Sequence, residues 1–223
     1  VYGFETLPYE GFLGQVKMQA SCDTAPWNIR STSDTIFLSN FWHRREGIGM
    51  DMSLIKTSIW REFGATIQYL EDTIRACPDE LWHACLWEHP GEQPEFAQFW
   101  YRAYHTLFWL HLYLTGTEEG FLPPPPFELI EQYDLGPLPQ RAYTRAELLA
   151  YLEAGRRECK ATIEGMTEEM AEQQCTFSWG ECSFLELLIY NLRHVQEHAG
   201  QLNLFLGQNQ VYTPDYTTQI KDA

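Results

Sequence analysis

Residues 95–115 constrain the fold more than any other stretch. Phe96, Phe99, Trp100, Tyr101, Tyr104, Phe108, Trp109 and Tyr113 are spread around most of the girth of one predicted helix. A helix that is apolar on so many sides belongs in the middle of a bundle. Pro94 suits its first turn, Glu95 its positive end and Gly116 its C-terminal cap.

Three further segments carry helical periodicity. Over residues 53–76, Leu54, Ile55, Ile59, Phe63, Ile67, Leu70 and Ile74 recur at helical spacing. Asp51 or Ser53 can cap that helix, Pro78 stops it, and Gly64 marks either a minor cost or a close neighbouring helix. Residues 145–165 open on the capping box Thr144-Arg-Ala-Glu147, with Leu148, Leu152, Gly155, Cys159 and Ile163 as the stripe. Ser183-Phe-Leu-Glu186 opens a last helix that ends at Gly207. Four such helices predict an all-α protein, a four-helix bundle over residues 50–207.

The connections are uneven. A helical turn is expected around Asp79–Trp82, then loop from Glu88 to Pro94, with His83 and His89 read as solvated. Between the second and third helices runs a long connection, 117–143, containing Pro123-Pro-Pro-Pro126. A proline run is a stiff rod, so this connection is expected as a lid or as a strap across the bundle. Cys175 to Gly180 is expected as a turn or short extended segment, with Trp179 packing it against the bundle. Residues 208–223 are expected as a loose polar tail.

Residues 1–49 lack sustained periodicity and form an irregular N-terminal extension, with at most a strand near residues 35–41. The codons of Arg45-Glu46-Gly47 can form a purine-rich run just upstream of Met50 and Met52. Translation is therefore expected to start at Met50 or Met52, leaving 1–49 as translated leader; pyrimidine-rich codons there would count against it.

Composition excludes some partners. A net charge of −16 argues against nucleic acid and repels anionic lipid. No apolar run approaches the length of a membrane span. The six cysteines form no C-x-x-C pair and read as free thiols, which points to a reducing cytoplasm. Cys175 and Cys182 flank the entry to the last helix and could approach each other; free thiols are the expectation for them too.

Chemistry enters with the last helix. His194 and His198 lie one turn apart on the side of its apolar stripe, with Leu187, Asn191, Leu202 and Phe205. A polar ring away from water must be satisfied, either by hydrogen bonding in an ordinary core or by a metal. A metal site needs a ligand from a facing helix, and His105, mid-helix among Tyr101, Phe108 and Trp109, is the best candidate. Three histidines leave positions open for water or substrate, and such a site can activate a bound water or thiol. Tyr104, Phe108 and Trp109 are then expected to line an apolar substrate site. His111 falls on another face.

Two rival motifs fit less well. His194-Val-Gln-Glu197-His198 matches the inverted zinc-protease pattern H-x-x-E-H, with Glu197 as general base. That class takes a further acidic ligand from a later helix, and only a polar tail follows. A di-iron bundle needs Glu-x-x-His on each of two helices, and the long helices carry none.

The pattern Tyr104-His105-Thr-Leu-Phe-Trp-Leu, the Ser183-Phe-Leu-Glu-Leu-Leu opening and Asn191-Leu-Arg-His194-x-x-x-His198-x-Gly-Gln-Leu202 together resemble the DinB-like (DinB/YfiT-like) superfamily of metal-binding four-helix bundles. The resemblance spans about residues 50–207. It implies an up-down-down-up bundle of a bacterial kind and a divalent metal (zinc, nickel, manganese or iron) at His105, His194 and His198. It also implies a thiol transferase or isomerase acting on a small electrophile with a low-molecular-weight thiol. The alternative is a non-catalytic metal-binding stress-response or structural protein; a homodimer is compatible with either. Where relatives often carry a polar or acidic residue after Phe-Trp-Leu, this chain has His111.

Overall fold

The computed structural model describes residues 51–88, 93–129, 131 and 138–220. The N-terminal extension 1–49 with its leader and strand expectations, a start at Met50, and His89 in its loop all lie outside the described residues. Among those described, the chain is all-α apart from one small hairpin. Its helices are α1 (Met52–Ala76), α2 (Phe99–Thr115), α3 (Arg145–Gly165), the short α4 (Glu168–Glu172) and α5 (Phe184–Gln208). None of them is long and apolar enough to cross a membrane.

The helix ends follow local chemistry. Asp51 caps α1, its side chain accepting from the Ser53 and Leu54 amides. Thr144 and Glu147 form the expected reciprocal capping box at α3. Ser183 Oγ accepts from the Glu186 amide at the start of α5. Gly116 ends α2 in the left-handed region, φ 75°, where a side chain would be strained.

The core lies between the four long helices. Phe63, Leu70, Tyr104, Phe108, Leu148, Leu152, Leu187 and Leu202 are all fully buried. Several polar contacts fix which parts of the helices adjoin. Lys56 near the start of α1 reaches the Glu164 carbonyl near the end of α3, 3.0 Å away. Arg156 pairs with Glu71, and Arg145 reaches the Cys77 carbonyl at 2.6 Å. Thr66 bonds Gln196 at 3.2 Å and Tyr69 bonds Asn203, both between α1 and α5. Phe99 packs near Phe205, and Tyr113 near Tyr190, between α2 and α5. Asn191, fully buried, donates to the Leu110 carbonyl at 2.9 Å.

Two expectations, the start of the second helix and the loose tail, are corrected, and two connecting segments gain detail. The second helix begins at Phe99, not residue 95. Pro94–Ala97 is a separate 3-10 turn, and Gln98 is extended because it bridges Cys85, with Leu86 N bonded to Ala97 O at 2.8 Å. Residues 174–183 form an antiparallel hairpin, β1 (Gln174–Phe177) and β2 (Gly180–Ser183), which sets Cys175 directly opposite Cys182. Residues 168–172 form a short helix capped by Thr167, with Glu168 and Glu169 exposed. The segment after α5 is not loose: Tyr216 packs on Tyr69, Asn203 donates to the Pro214 carbonyl, and Ile220 packs so near Gly64 that an added Cβ would lie 3.0 Å from its Cδ1. The close neighbour of Gly64 is therefore this tail.

The described part of the 117–143 connection packs closely. The Phe127 ring stacks on Tyr104 and on Tyr151, the Tyr104 hydroxyl donates to the Glu128 carbonyl at 2.6 Å, and the Glu128 amide donates to Tyr143 Oη.

Candidate metal centre

The three expected histidines meet. His105 comes from α2, and His194 and His198 from successive turns of α5. The Nε2 atoms of His105 and His194 are 3.4 Å apart, and those of His194 and His198 are 3.1 Å apart. One ligand atom of each lies within 4.8 Å of the others, so the group could hold one ion. The spacing can be tested against coordination geometry. With metal–nitrogen bonds of about 2.0–2.1 Å, two ligands of a tetrahedral ion sit about 3.3 Å apart. Both measured separations lie close to that edge.

The outer nitrogens of two rings are held. His105 Nδ1 lies 2.6 Å from Glu131 Oε2, and His198 Nδ1 lies 2.8 Å from Gln201 Oε1. Both partners are acceptors, so each Nδ1 carries the proton and each Nε2 turns a lone pair inward. This is the arrangement by which proteins orient metal-ligating imidazoles. The third outer nitrogen, His194 Nδ1, is buried without a hydrogen bond among the described residues.

Burial keeps His194 and His198 neutral. It pushes the His198 pKa down to about 4, helped by the nearby His105 ring. It pushes His194 lower still, with His105 and His198 adding to the effect. Neutral rings with inward lone pairs repel one another unless a proton or a cation lies between them.

Glu131 is the residue that sequence reasoning missed. It lies in the 117–143 connection, 6% exposed, and also accepts from Trp109 Nε1 at 3.3 Å. Its burial favours the neutral acid, but the hydrogen bond and charge of His105, with the Tyr101 and Trp109 donors, outweigh that and hold its pKa below the ordinary value. No local pattern announces it. The general need of a ligating histidine for a carboxylate partner was the only available pointer.

The expected aromatic lining divides. Trp109 is partly exposed, its ring centroid 6.4 Å from that of His105. Tyr104 and Phe108 are fully buried and line no open surface: Tyr104 packs on Phe127 and Tyr143, and Phe108 on Phe121. The aromatic ring beside His194 is instead Tyr113, at 6.1 Å. Glu197, the base of the rejected protease reading, is exposed and bonded to Gln201. His111 stands apart from the triad, with Nε2 2.7 Å from Glu158 and Nδ1 3.4 Å from the Tyr151 hydroxyl. The five described cysteines are free.

A search of curated proteins finds no match to this chain. A family model described as the DinB superfamily matches residues 62–202, which takes in all of α2 and α3 and all three histidines. The helical fold, the histidine cluster and this match over more than half of the sequence agree: the chain belongs to the DinB superfamily.

Proposed function

We propose that this protein holds a divalent metal ion at His105, His194 and His198 and uses it as a thiol transferase or isomerase acting on a small electrophile. The observation that carries the reading is the approach of the His105 and His198 Nε2 atoms to that of His194 at 3.4 and 3.1 Å, with those two rings held from behind by Glu131 and Gln201. A divalent ion held there supplies Lewis acidity, with coordination positions left beyond the three imidazoles. Zinc, nickel and iron suit imidazole ligands, and manganese, which favours oxygen, would take water at the remaining positions. The chain's own part is orientation. Glu131 fixes the His105 ring, Gln201 fixes His198, and Trp109 steadies Glu131 while covering one flank.

The same reading takes the fold as an up-down-down-up bundle, the Pro123–Pro126 connection crossing between its second and third helices. Its support is the pattern of contacts. Residues 56 and 71 of α1 meet 164 and 156 of α3, which is antiparallel. Residues 66 and 69 of α1 meet 196 and 203 of α5, which is parallel. Residues 99 and 113 of α2 meet 205 and 190 of α5, again antiparallel. The charge of −16 and the free thiols favour a cytoplasmic protein with a small-molecule substrate and no nucleic-acid partner. A homodimer fits this reading.

Metal analysis of the purified protein beside His105→Ala and His198→Ala is the test. Full metal content in either variant removes that residue from the site. The second reading, a non-catalytic metal-binding protein, is favoured by the way the triad ties α2 to α5. Stripping the metal separates the two: the first reading predicts lost turnover with a thiol-conjugation substrate, the second only a lower Tm.

A further inference from the structure

The hairpin before α5 carries chemistry that the histidine cluster does not use. Its register sets Cys175 of β1 directly opposite Cys182 of β2. Opposite residues of an antiparallel pair point to the same face. Here that face is the inner one. Cys175 and Cys182 are buried, with Phe177 beside them, while Thr176 and Glu181 on the outer face are exposed. Cys175 Sγ lies 3.5 Å from where a Cβ on Gly116 would stand, at the end of α2. Both thiols are free, and burial raises the pKa of each, with the nearness of Cys182 adding to the rise at Cys175. Among the described residues these are the only two cysteines that face each other across a strand register. Cys77 stands at the end of α1, Cys159 inside α3, and Cys85 opposite Gln98.

The register brings the two sulfurs within reach of a covalent bond. Facing residues in such a ladder have Cα atoms roughly 4.5–5.5 Å apart, and a disulfide spans roughly 4.4–6.8 Å. Their Cβ atoms stand about 4.5–5.5 Å apart against about 3.5–4.5 Å in a disulfide, so a shift of about 1 Å closes the gap. A two-stranded ladder is marginal by itself and frays more readily than a helical core, which gives a small reagent access to the buried sulfurs. Cys182, 6% exposed against 1% for Cys175, is the one reached first.

We infer that Cys175 and Cys182 are a redox-active pair, reduced in this structure, that closes to a disulfide under a low-molecular-weight disulfide oxidant with the hairpin register kept. The Cys182 thiolate attacks one sulfur of the oxidant and expels one thiolate, leaving a mixed disulfide. The Cys175 thiolate then attacks the Cys182 sulfur and expels the second. One S–S bond breaks in the oxidant and one forms in the protein. The two protein thiols give up two electrons and two protons, and both pass to the two released thiols. In a reducing compartment such a bond forms only when the thiol pool is oxidised, so the pair senses that pool. The step involves no metal and stands apart from the reading of the triad.

The test incubates the native full chain with glutathione and its disulfide, at about 0.1 mM free thiol, and traps the remaining protein thiols with N-ethylmaleimide. Residues 161–193 contain no Lys or Arg before Arg193, so trypsin releases Cys175 and Cys182, and no other cysteine, in one peptide. That peptide should lose two hydrogens and take up no maleimide. The internal disulfide should outweigh the glutathione adduct by at least about tenfold, because the second thiol is already held alongside the first. Dithiothreitol should restore both thiols, and Cys175→Ser should stop at the glutathione adduct on Cys182. A glutathione adduct as the main product of the wild-type chain, a bond from either cysteine to any other, or oxidation seen only in urea overturns the proposal. So does faster amide exchange over residues 174–183 in the oxidised chain, which would mean that the register is lost.

Discussion

His105 and His111 stand on the same helix, and their surroundings differ in kind. His111 meets a carboxylate on one nitrogen and a phenol on the other, Glu158 at 2.7 Å and Tyr151 at 3.4 Å. A neutral ring with its proton on Nε2 satisfies both: it donates to Glu158 and accepts from Tyr151. His105 has its carboxylate, Glu131, behind it and two more imidazoles in front. Three lone pairs facing one point have no comparable neutral solution. The difference shows that burial and a nearby acid do not mark a metal ligand. What sets His105 apart, and supports the proposed metal reading, is the pair of imidazole acceptors on the side away from the acid.

The largest expected effect tests that contrast directly. His198→Ala or His105→Ala should lower metal affinity by more than the roughly 10–100-fold that loss of an outer partner costs. His111→Ala should leave metal content unchanged, as measured by elemental analysis after equilibrium dialysis. Loss of metal in the His111 variant would merge the two environments and break the comparison.

Glu131→Gln comes next. It keeps a hydrogen-bond acceptor behind His105 but removes the charge, and affinity is expected to fall by about tenfold. Competition against a chelating dye gives the number. An unchanged affinity would reduce Glu131 to a packing residue.

The metal-free protein should show the burial of the triad in its acid stability. The folded-state pKa of His198, about 4, lies below its ordinary 6.5, and that of His194 is depressed as well. Between those limits the unfolded chain binds protons that the folded chain does not. Stability is therefore complete above pH 6.5 and falls as the pH drops toward 4. Urea melts of the apoprotein across this window should slope accordingly, and His198→Gln should flatten the slope.

The smallest effect concerns His111 as a tie between α2 and α3. His111→Ala should cost about 1 kcal/mol, the usual worth of such partly exposed polar contacts. Thermal melts would read it as a shift of a few degrees with no change in metal content.

The parts of this fold that were legible in sequence are those governed by neighbours along the chain. Asp51, the Thr144–Glu147 box and Gly116 act on backbone groups within one turn, so their residue types announce them. The shared face of His194 and His198 is likewise a matter of spacing. The break at Gln98 was hidden because its cause is the distant strand-like contact with Cys85. The packing of Tyr216 and Ile220 was hidden because a polar composition says nothing of a few apolar anchors. The third histidine of the cluster was legible because His105 sits mid-helix in a sequence resembling the DinB-like pattern. Tyr104 and Phe108 were misjudged because closeness along the helix says nothing about which neighbour covers a side chain. Both are sealed by residues from the 117–143 connection.

That connection also brings Glu131 to the back of His105. An acid placed on a connecting segment, not on a helix, makes the orientation of the His105 ring depend on how that segment is seated. On the proposed metal reading, lengthening that segment by a few residues would free the His105 ring to turn and weaken metal binding, although His194 and His198 are untouched. Insertions and deletions in this stretch would then tune the proposed site through the orientation of one imidazole, with the other two left in place on their own helix.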